Sequence, residues 1–294
     1  MAVNSTAERR AFWQLQFCVF LWGFTAILGK LISLAATPLV VWRMGLATAM
    51  LALLPGAWRG VRGMSRAEWA RQTLAGCVIA LHWVTFYASI KLANASVAVA
   101  CLALGAVFAA IIEPAVTGRP YERSELLLGV AAIPGVLLLI GGVPEVMLPG
   151  VAFGTLSAAL TALYSSLNKR FVGGTEPSTA SLLQIGIGTV FLAAVGAIVS
   201  GPNEIFALPD TANLGWLLVL AGACTVLPML IWMHALHHVS AFTTQLALNL
   251  EPVYAIALAA LLFHEHEELS PGFYLGALIV LLVVFLPAAL KRKR

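Results

Sequence analysis

The sequence predicts an all-α polytopic membrane protein with ten transmembrane helices, organised as two five-helix repeats of opposite orientation. Three observations lead there. Of its 294 residues, 61% are hydrophobic and only 10% charged, and the mean hydropathy is +0.93. A water-soluble domain of this length needs far more polar surface, so the solvent expected around most of this chain is lipid. Apolar runs long enough to cross about 30 Å of hydrocarbon as helix recur along the whole sequence. The second half of the chain also repeats the first.

The runs lie near 13–34, 38–56, 73–92, 95–116, 124–143, 150–172, 178–200, 213–236, 241–263 and 271–290. The first is longer than a signal-peptide core and carries no cleavage motif, so it is expected to be retained as a span. Connectors such as AATP, NAS and HHVSA are short enough to force their neighbours into adjacent antiparallel helices; GAWRGVRGMSRAEWARQ and GPNEIFALPDTAN are the longer ones. Basic residues set the orientation. With the N-terminus inside, Arg9, Arg10, Arg59, Arg62, Arg66, Arg71, Arg119, Arg123, Lys169, Arg170 and the KRKR tail fall on the inner side. Only Lys30, Arg43 and Lys91 fall toward the outer side, with the acidic stretches NEIFALPD and HEHEE. Both termini are therefore expected in the cytoplasm. The net charge of +4 is dispersed in short clusters between apolar runs, which argues against a nucleic-acid partner. Cys18, Cys77, Cys101 and Cys224 occur singly in apolar stretches, so neither a disulfide framework nor a thiolate metal site is expected.

The repeat is visible residue by residue. LANASVAVACLALGAVFAAI (92–111) aligns without a gap on HVSAFTTQLALNLEPVYAIA (238–257), matching Ala95 with Ala241, Leu102 with Leu248, Val107 with Val253 and Phe108 with Tyr254. LLGVAAIPGVLLLI pairs with YLGALIVLLVVFL, Gly129 with Gly276 after a one-residue slip. GKLISLAATP pairs with NKRFVGGTEP, Lys30 with Lys169 and Pro38 with Pro177. Residues 1–146 and 147–294 thus form two units of five spans each. Five is odd, so the second unit must enter the membrane from the opposite side. Two similar bundles of opposite orientation can exchange conformations and open a central site to either side in turn.

This architecture, five plus five helices with each half ending in a polar loop and a helix containing LG, resembles the drug/metabolite transporter superfamily in its EamA-type branch. The likeness covers nearly the whole chain. FLWGFTAILGK and HWVTFYASIKLANASVA make it most similar to YddG-type exporters of aromatic amino acids. The resemblance implies export of small metabolites from the cytoplasm, across a bacterial inner membrane, through a cavity between the halves.

An ionisable side chain in a lipid-embedded helix is costly and marks a functional site by default. Glu251 in the ninth span, His82 in the third and His234 in the eighth lie at depth, whereas Lys30, Arg43, Lys91, Glu113, Lys169 and Arg170 lie near enough to span ends to snorkel. Pro252 is expected to bend the ninth helix and free the Leu248 carbonyl. Beside that kink Glu251 has three open readings: a hydrogen-bonded structural carboxyl, a contact for a substrate ammonium, or a proton carrier. Gln245 and Asn249 share a helical face with Pro252. The sixth span carries a polar stripe of Ser157, Thr161, Tyr164, Ser165 and Asn168, and the first span carries Trp22, Thr25 and Gly29; close helix packing accounts for such stripes as well as a water-filled path does. Aromatic walls with sparse polar anchors suit an amphipathic metabolite. The candidate substrate-binding set is Trp22, His82, Phe86, Phe108, Tyr164, Trp232, Gln245, Asn249, Glu251 and Tyr254, with Pro228 and Pro252 as hinges.

HEHEE (264–268) lacks the i, i+4 histidine pair of a zinc helix and reads as a solvated loop. With no phosphate-cradling glycine loop and no nucleophile beside a base, neither a cofactor, a metal nor an enzymatic reaction is expected. The partners expected are a small-molecule substrate and the bilayer, with a monomer as the simplest assembly. The competing reading is a multidrug exporter coupling efflux of quaternary cations to proton entry. The small multidrug pumps of the same superfamily carry an essential glutamate in their first helix. Here neither the first span nor its mate, the sixth, contains a carboxylate.

Overall fold

A computed structural model describes residues 6–171, 175–236 and 250–291. Among these residues the regular structure is entirely helical: α1 (Thr6–Leu31), α2 (Ala36–Ala52), α3 (Arg66–Leu92), α4 (Ala95–Leu102), α5 (Gly105–Thr117), α6 (Arg123–Gly141), α7 (Leu148–Phe171), α8 (Pro177–Ser200), α9 (Thr211–Ala221), α10 (Leu227–Leu236), α11 (Glu251–Phe263) and α12 (Pro271–Lys291), with single-turn helices between some of them. Six helical segments are long and apolar enough to cross a membrane, or seven if the pair Ala36–Ala52 and Pro55–Gly63, bent by 93°, is one broken span. Gly129–Gly141, Glu251–Phe263 and Pro271–Val283 are apolar but shorter.

Helix starts follow local chemistry. Ser65 and Glu68 form a reciprocal capping box on α3, the Ser65 amide donating to Glu68 Oε2 at 2.7 Å and the Glu68 amide to Ser65 Oγ at 3.2 Å. Asn94 caps α4 by accepting from the Val97 amide at 2.9 Å, and Asp210 caps α9 by accepting from the Asn213 amide at 2.8 Å.

Two expected features of the fourth and ninth spans are altered. The fourth is interrupted at Ala103 and Leu104, where α4 gives way to α5. The ungapped repeat alignment carries Leu104 onto Leu250, and both residues flank the start of a helix with similar backbone angles, φ −67° and ψ −14° against φ −85° and ψ −13°. Pro252 therefore does not bend a continuous helix, as the sequence pattern predicts. It stands in the first turn of α11, where a missing N–H costs nothing. Glu251 begins that helix.

The packing partners come in exchangeable pairs. α3 lies against α7 and α8, while α10 lies against α1 and α9 against α2; α5 packs on α7 as α11 packs on α1. α2 with α8, α4 with α11, and α6 with α12 pair mate with mate. The last contact depends on small residues. A Cβ on Gly276 would run into the Leu139 amide nitrogen and lie 2.5 Å from the Gly135 carbonyl oxygen.

Both ends of the bundle carry ionic locks, which replace the snorkelling expected of these residues. At one end Lys30 of α1 donates to Glu265 Oε1 at 2.8 Å. The fully buried Glu265 carboxylate also accepts from the Ala95 amide at 3.1 Å and the Ser96 amide at 2.8 Å, the open N-terminus of α4. Asn94 donates to Glu268 at 2.9 Å and Lys91 donates to the Ile32 carbonyl. HEHEE is thus anchored by its second residue, not a freely solvated loop. At the other end Lys169, the repeat mate of Lys30, pairs with Glu113; Arg119 bridges Glu113 at 3.4 Å and Glu125 at 2.5 Å. Arg170 donates to the Val116 carbonyl at 2.8 Å.

Two stability measurements follow, each read as thermal unfolding in detergent. Gly276→Val is expected to destabilise the protein by about 1–3 kcal/mol, because overpacking forces α6 and α12 apart. Glu265→Ala is expected to cost about 3–5 kcal/mol, since it strands Lys30 and two amides, while Ala at the exposed Glu267 leaves the melting curve unchanged.

Candidate functional site

Helices from both halves converge on one buried polar cluster, and its centre is Arg43. This residue lies midway along α2 and is 3% exposed. Its Nε donates to Thr225 Oγ1 at 3.0 Å, and Nη1 donates to the Tyr87 hydroxyl at 2.8 Å. The guanidinium carbon stands 3.8 Å from the Trp83 ring centroid and 5.6 Å from that of Tyr87. A desolvated cation over an aromatic face gains about 2 kcal/mol. The expectation that Arg43 snorkels is overturned, because roughly 10 Å of helix separates it from either end of α2, farther than the side chain reaches.

The surrounding residues hold this arrangement in place. Tyr87 donates to the Thr25 carbonyl at 3.4 Å, and its ring fills the space that Gly29 leaves open, where a Cβ would collide with Cε1 of the ring. The Trp22, Thr25 and Gly29 stripe of α1 therefore seats Tyr87 with two of its three members. Phe86 is buried and meets Tyr87 edge-on at 5.4 Å. Thr225 belongs to a π-helical turn, Gly222–Val226, and donates to the Leu220 carbonyl at 2.8 Å. Such turns reposition side chains that a regular helix would aim elsewhere.

Glu251 faces the same region from α11. It is half-buried, and its place in the first helical turn puts the carboxylate at the positive end of the helix dipole. The charges of Arg43 and Glu251 act on one another, and both act on Tyr87. Among the described residues no ion pair within 4 Å joins them.

The remaining candidates separate from this cluster. His82 is tied to α7, with Nδ1 2.8 Å from Ser157 Oγ and 3.0 Å from the Ser157 carbonyl oxygen, while Ser157 donates to the His82 carbonyl at 3.0 Å. Tyr164 donates to Gln184 at 2.6 Å; Gln184 in turn donates to Gln72 at 2.8 Å and Asn168 at 3.0 Å. The polar stripe of α7 thus serves largely as contact with α3 and α8. Tyr254 packs on α1, edge-on to Phe20 at 5.9 Å and donating to Gln16 at 3.4 Å. Trp22 lies half-buried on α1, and its carbonyl accepts from Thr25 at 2.6 Å. Phe108 lines a largely apolar groove of about 600 Å³ with Ile140, Leu148, Val151, Thr155 and Leu156, a surface to which Arg43 does not contribute. Pro228 is buried directly after the π-helical turn, and its carbonyl accepts from the Cys18 thiol at 3.4 Å. The helix bearing Trp232 is placed but its side chain, like that of His234 and like Gln245 and Asn249, lies outside the described residues.

Sequence reasoning missed Arg43, Tyr87, Trp83 and Thr225 as one unit. The signal present was Trp83 and Tyr87 at i, i+4 on α3, opposite a basic residue inside a short apolar helix. His264, His266 and Glu267 form an exposed group whose ligating atoms lie within 4.8 Å of one another, the described side chains best disposed to hold a metal ion.

No curated protein matches the sequence. The chain aligns with a protein of known crystal structure over 97% of its own length and 98% of the other's, at 14% identity and a TM-score of 0.65, which is a likeness of fold. The model of the EamA-like transporter family matches twice, over residues 12–141 and 148–288. Apolar helices of spanning length and a family match over both halves make this a multi-pass membrane protein, and the chain belongs to the EamA-like transporter family.

Proposed function

We propose that the chain is a secondary exporter that moves small amphipathic metabolites, aromatic and other amino acids foremost, by alternating access between two five-helix repeats of inverted topology, 1–146 and 147–294. It lies in a bacterial inner membrane with both termini cytoplasmic and works as a monomer. The observation that carries the reading is the buried cluster of Arg43, Tyr87, Trp83 and Thr225 facing Glu251, to which both halves contribute. A charged cluster is expensive at such depth and is kept where it lines a substrate path.

Three further features support it. Contacts between the halves occur in pairs that an exchange of the halves interconverts. The helix breaks before Gly105 and before Glu251 fall at matched positions, and broken helices commonly frame midplane substrate sites. The end locks use mated lysines, each paired with a glutamate from the opposite half, so opening one end while closing the other exchanges equivalent interactions. Glu265 is fully buried in its lock whereas Glu113 is 19% and Lys169 53% exposed in theirs, which suits a state sealed at the Lys30 end.

Within the site Glu251 receives the substrate ammonium, and Trp83 and Phe86 provide flat apolar surface. The rival reading, efflux of permanent cations, meets a resident guanidinium. Two like charges 4 Å apart repel by about 4 kcal/mol at an effective dielectric constant near 20.

The test is reconstitution into liposomes with labelled phenylalanine and a labelled quaternary dye, with and without a proton gradient. Phenylalanine is the expected cargo. Glu251→Gln is expected to raise the KM for phenylalanine about 10- to 100-fold, the equivalent of about 1.5–3 kcal/mol for a hydrogen bond to a charged group. Unchanged phenylalanine transport by a normally expressed Glu251→Gln protein removes the ammonium contact; dye transport without phenylalanine transport favours the rival.

A further inference from the structure

We propose that Arg43 is the recognition group for a substrate carboxylate, so that the transporter selects metabolites carrying an anionic head beside an apolar body. The inference rests on the transport reading above and assigns the part of the site that sequence reasoning placed at the interface.

The environment of Arg43 suits a planar anionic ligand. A guanidinium offers five N–H donors in a planar fork that matches a carboxylate. Nε is used by Thr225 and one Nη1 hydrogen by Tyr87. Both acceptors are neutral hydroxyls, so these bonds fix the plane of the fork without cancelling its charge. Trp83 covers one face at 3.8 Å, which leaves the edge of the fork for a coplanar partner. Among the described residues no carboxylate comes within 4 Å of its nitrogens, although four other ion pairs form in the molecule.

The repeat gives an independent argument. The offset that matches Lys30 with Lys169 and Pro38 with Pro177 carries Arg43 onto Leu182, which is buried at 4% exposure. The equivalent position in the second half therefore packs perfectly well with an apolar side chain. The mated lysines recur because both ends need locking. The arginine does not recur, and Glu251 does not either, since its mate is Gly105. Two charges unique to one half, near enough to feel each other and too far apart to pair directly, leave room for a group that is negative at one end and positive at the other. An α-amino acid has that form, its carboxylate toward Arg43 and its ammonium toward Glu251.

The experiment is competition against labelled phenylalanine uptake into liposomes by 3-phenylpropionate, which keeps the carboxylate, and by phenethylamine, which keeps only the ammonium. With the wild-type protein 3-phenylpropionate is expected to compete. In Arg43→Gln the KM for phenylalanine is expected to rise at least about 30-fold and competition by 3-phenylpropionate to vanish, while phenethylamine competes at least as well as before. Arg43→Lys, which keeps the charge and loses the planar fork, is expected to fall between. If wild-type transport is blocked by phenethylamine but not by 3-phenylpropionate, Arg43 is not a carboxylate anchor, and that result holds even where the variants fail to fold. Equal competition by 3-phenylpropionate in wild type and Arg43→Gln overturns the assignment while leaving amino-acid transport intact. A wild-type protein that moves no amino acid and binds no carboxylate overturns both.

Discussion

Hydrocarbon supplies no water to an unpaired polar group, so each donor and acceptor carried into the bilayer must find its partner within the protein. The arrangement around Arg43 is the extreme instance. Its cation is held by two hydroxyls and an aromatic face contributed by α3 and the π-helical turn, elements that sequence separates by more than a hundred residues. Tyr87 can occupy its place because Gly29 has no side chain, and Thr225 can present its oxygen because the helix widens by one residue there. Backbone irregularity, small residues and a buried charge thus form one connected solution.

The same requirement shapes the ends of the bundle. The open N-terminus of α4 offers amides that a regular helix leaves unpaired, and Glu265 satisfies two of them while neutralising Lys30. That carboxylate belongs to a loop which looks, by composition, like solvated surface. Around the middle of the molecule Ser157 with His82, and Gln184 with Gln72, Asn168 and Tyr164, satisfy polar atoms across helix contacts. These networks join helices rather than lining a path. The difference between them and the Arg43 cluster lies in charge: the first are closed sets of neutral groups, the second keeps an uncompensated cation.

The predicted sites divide along that line. Phe86 and Glu251 belong to the charged cluster. His82, Tyr164 and Tyr254 are engaged in helix packing, and Phe108 faces an apolar groove. A histidine or tyrosine inside an apolar run carries the same letters whether it faces a neighbour or a passage, so residue type cannot separate the two cases. Pro252 illustrates the reverse problem. Proline signals a break reliably, yet whether it kinks a helix or opens one depends on how the preceding residues are placed.

Composition, the spacing of apolar runs and the doubled pattern by themselves determined that the chain is helical, lies in lipid and belongs with EamA-like transporters, because burial in hydrocarbon constrains every residue of a span and leaves a signal summed over many positions. The depth of Arg43, the burial of Glu265 and the grouping of Arg43 with Tyr87, Trp83 and Thr225 were decided by tertiary structure alone. Each depends on single side chains brought together from distant segments, and a contact of that kind leaves no periodic trace in the sequence.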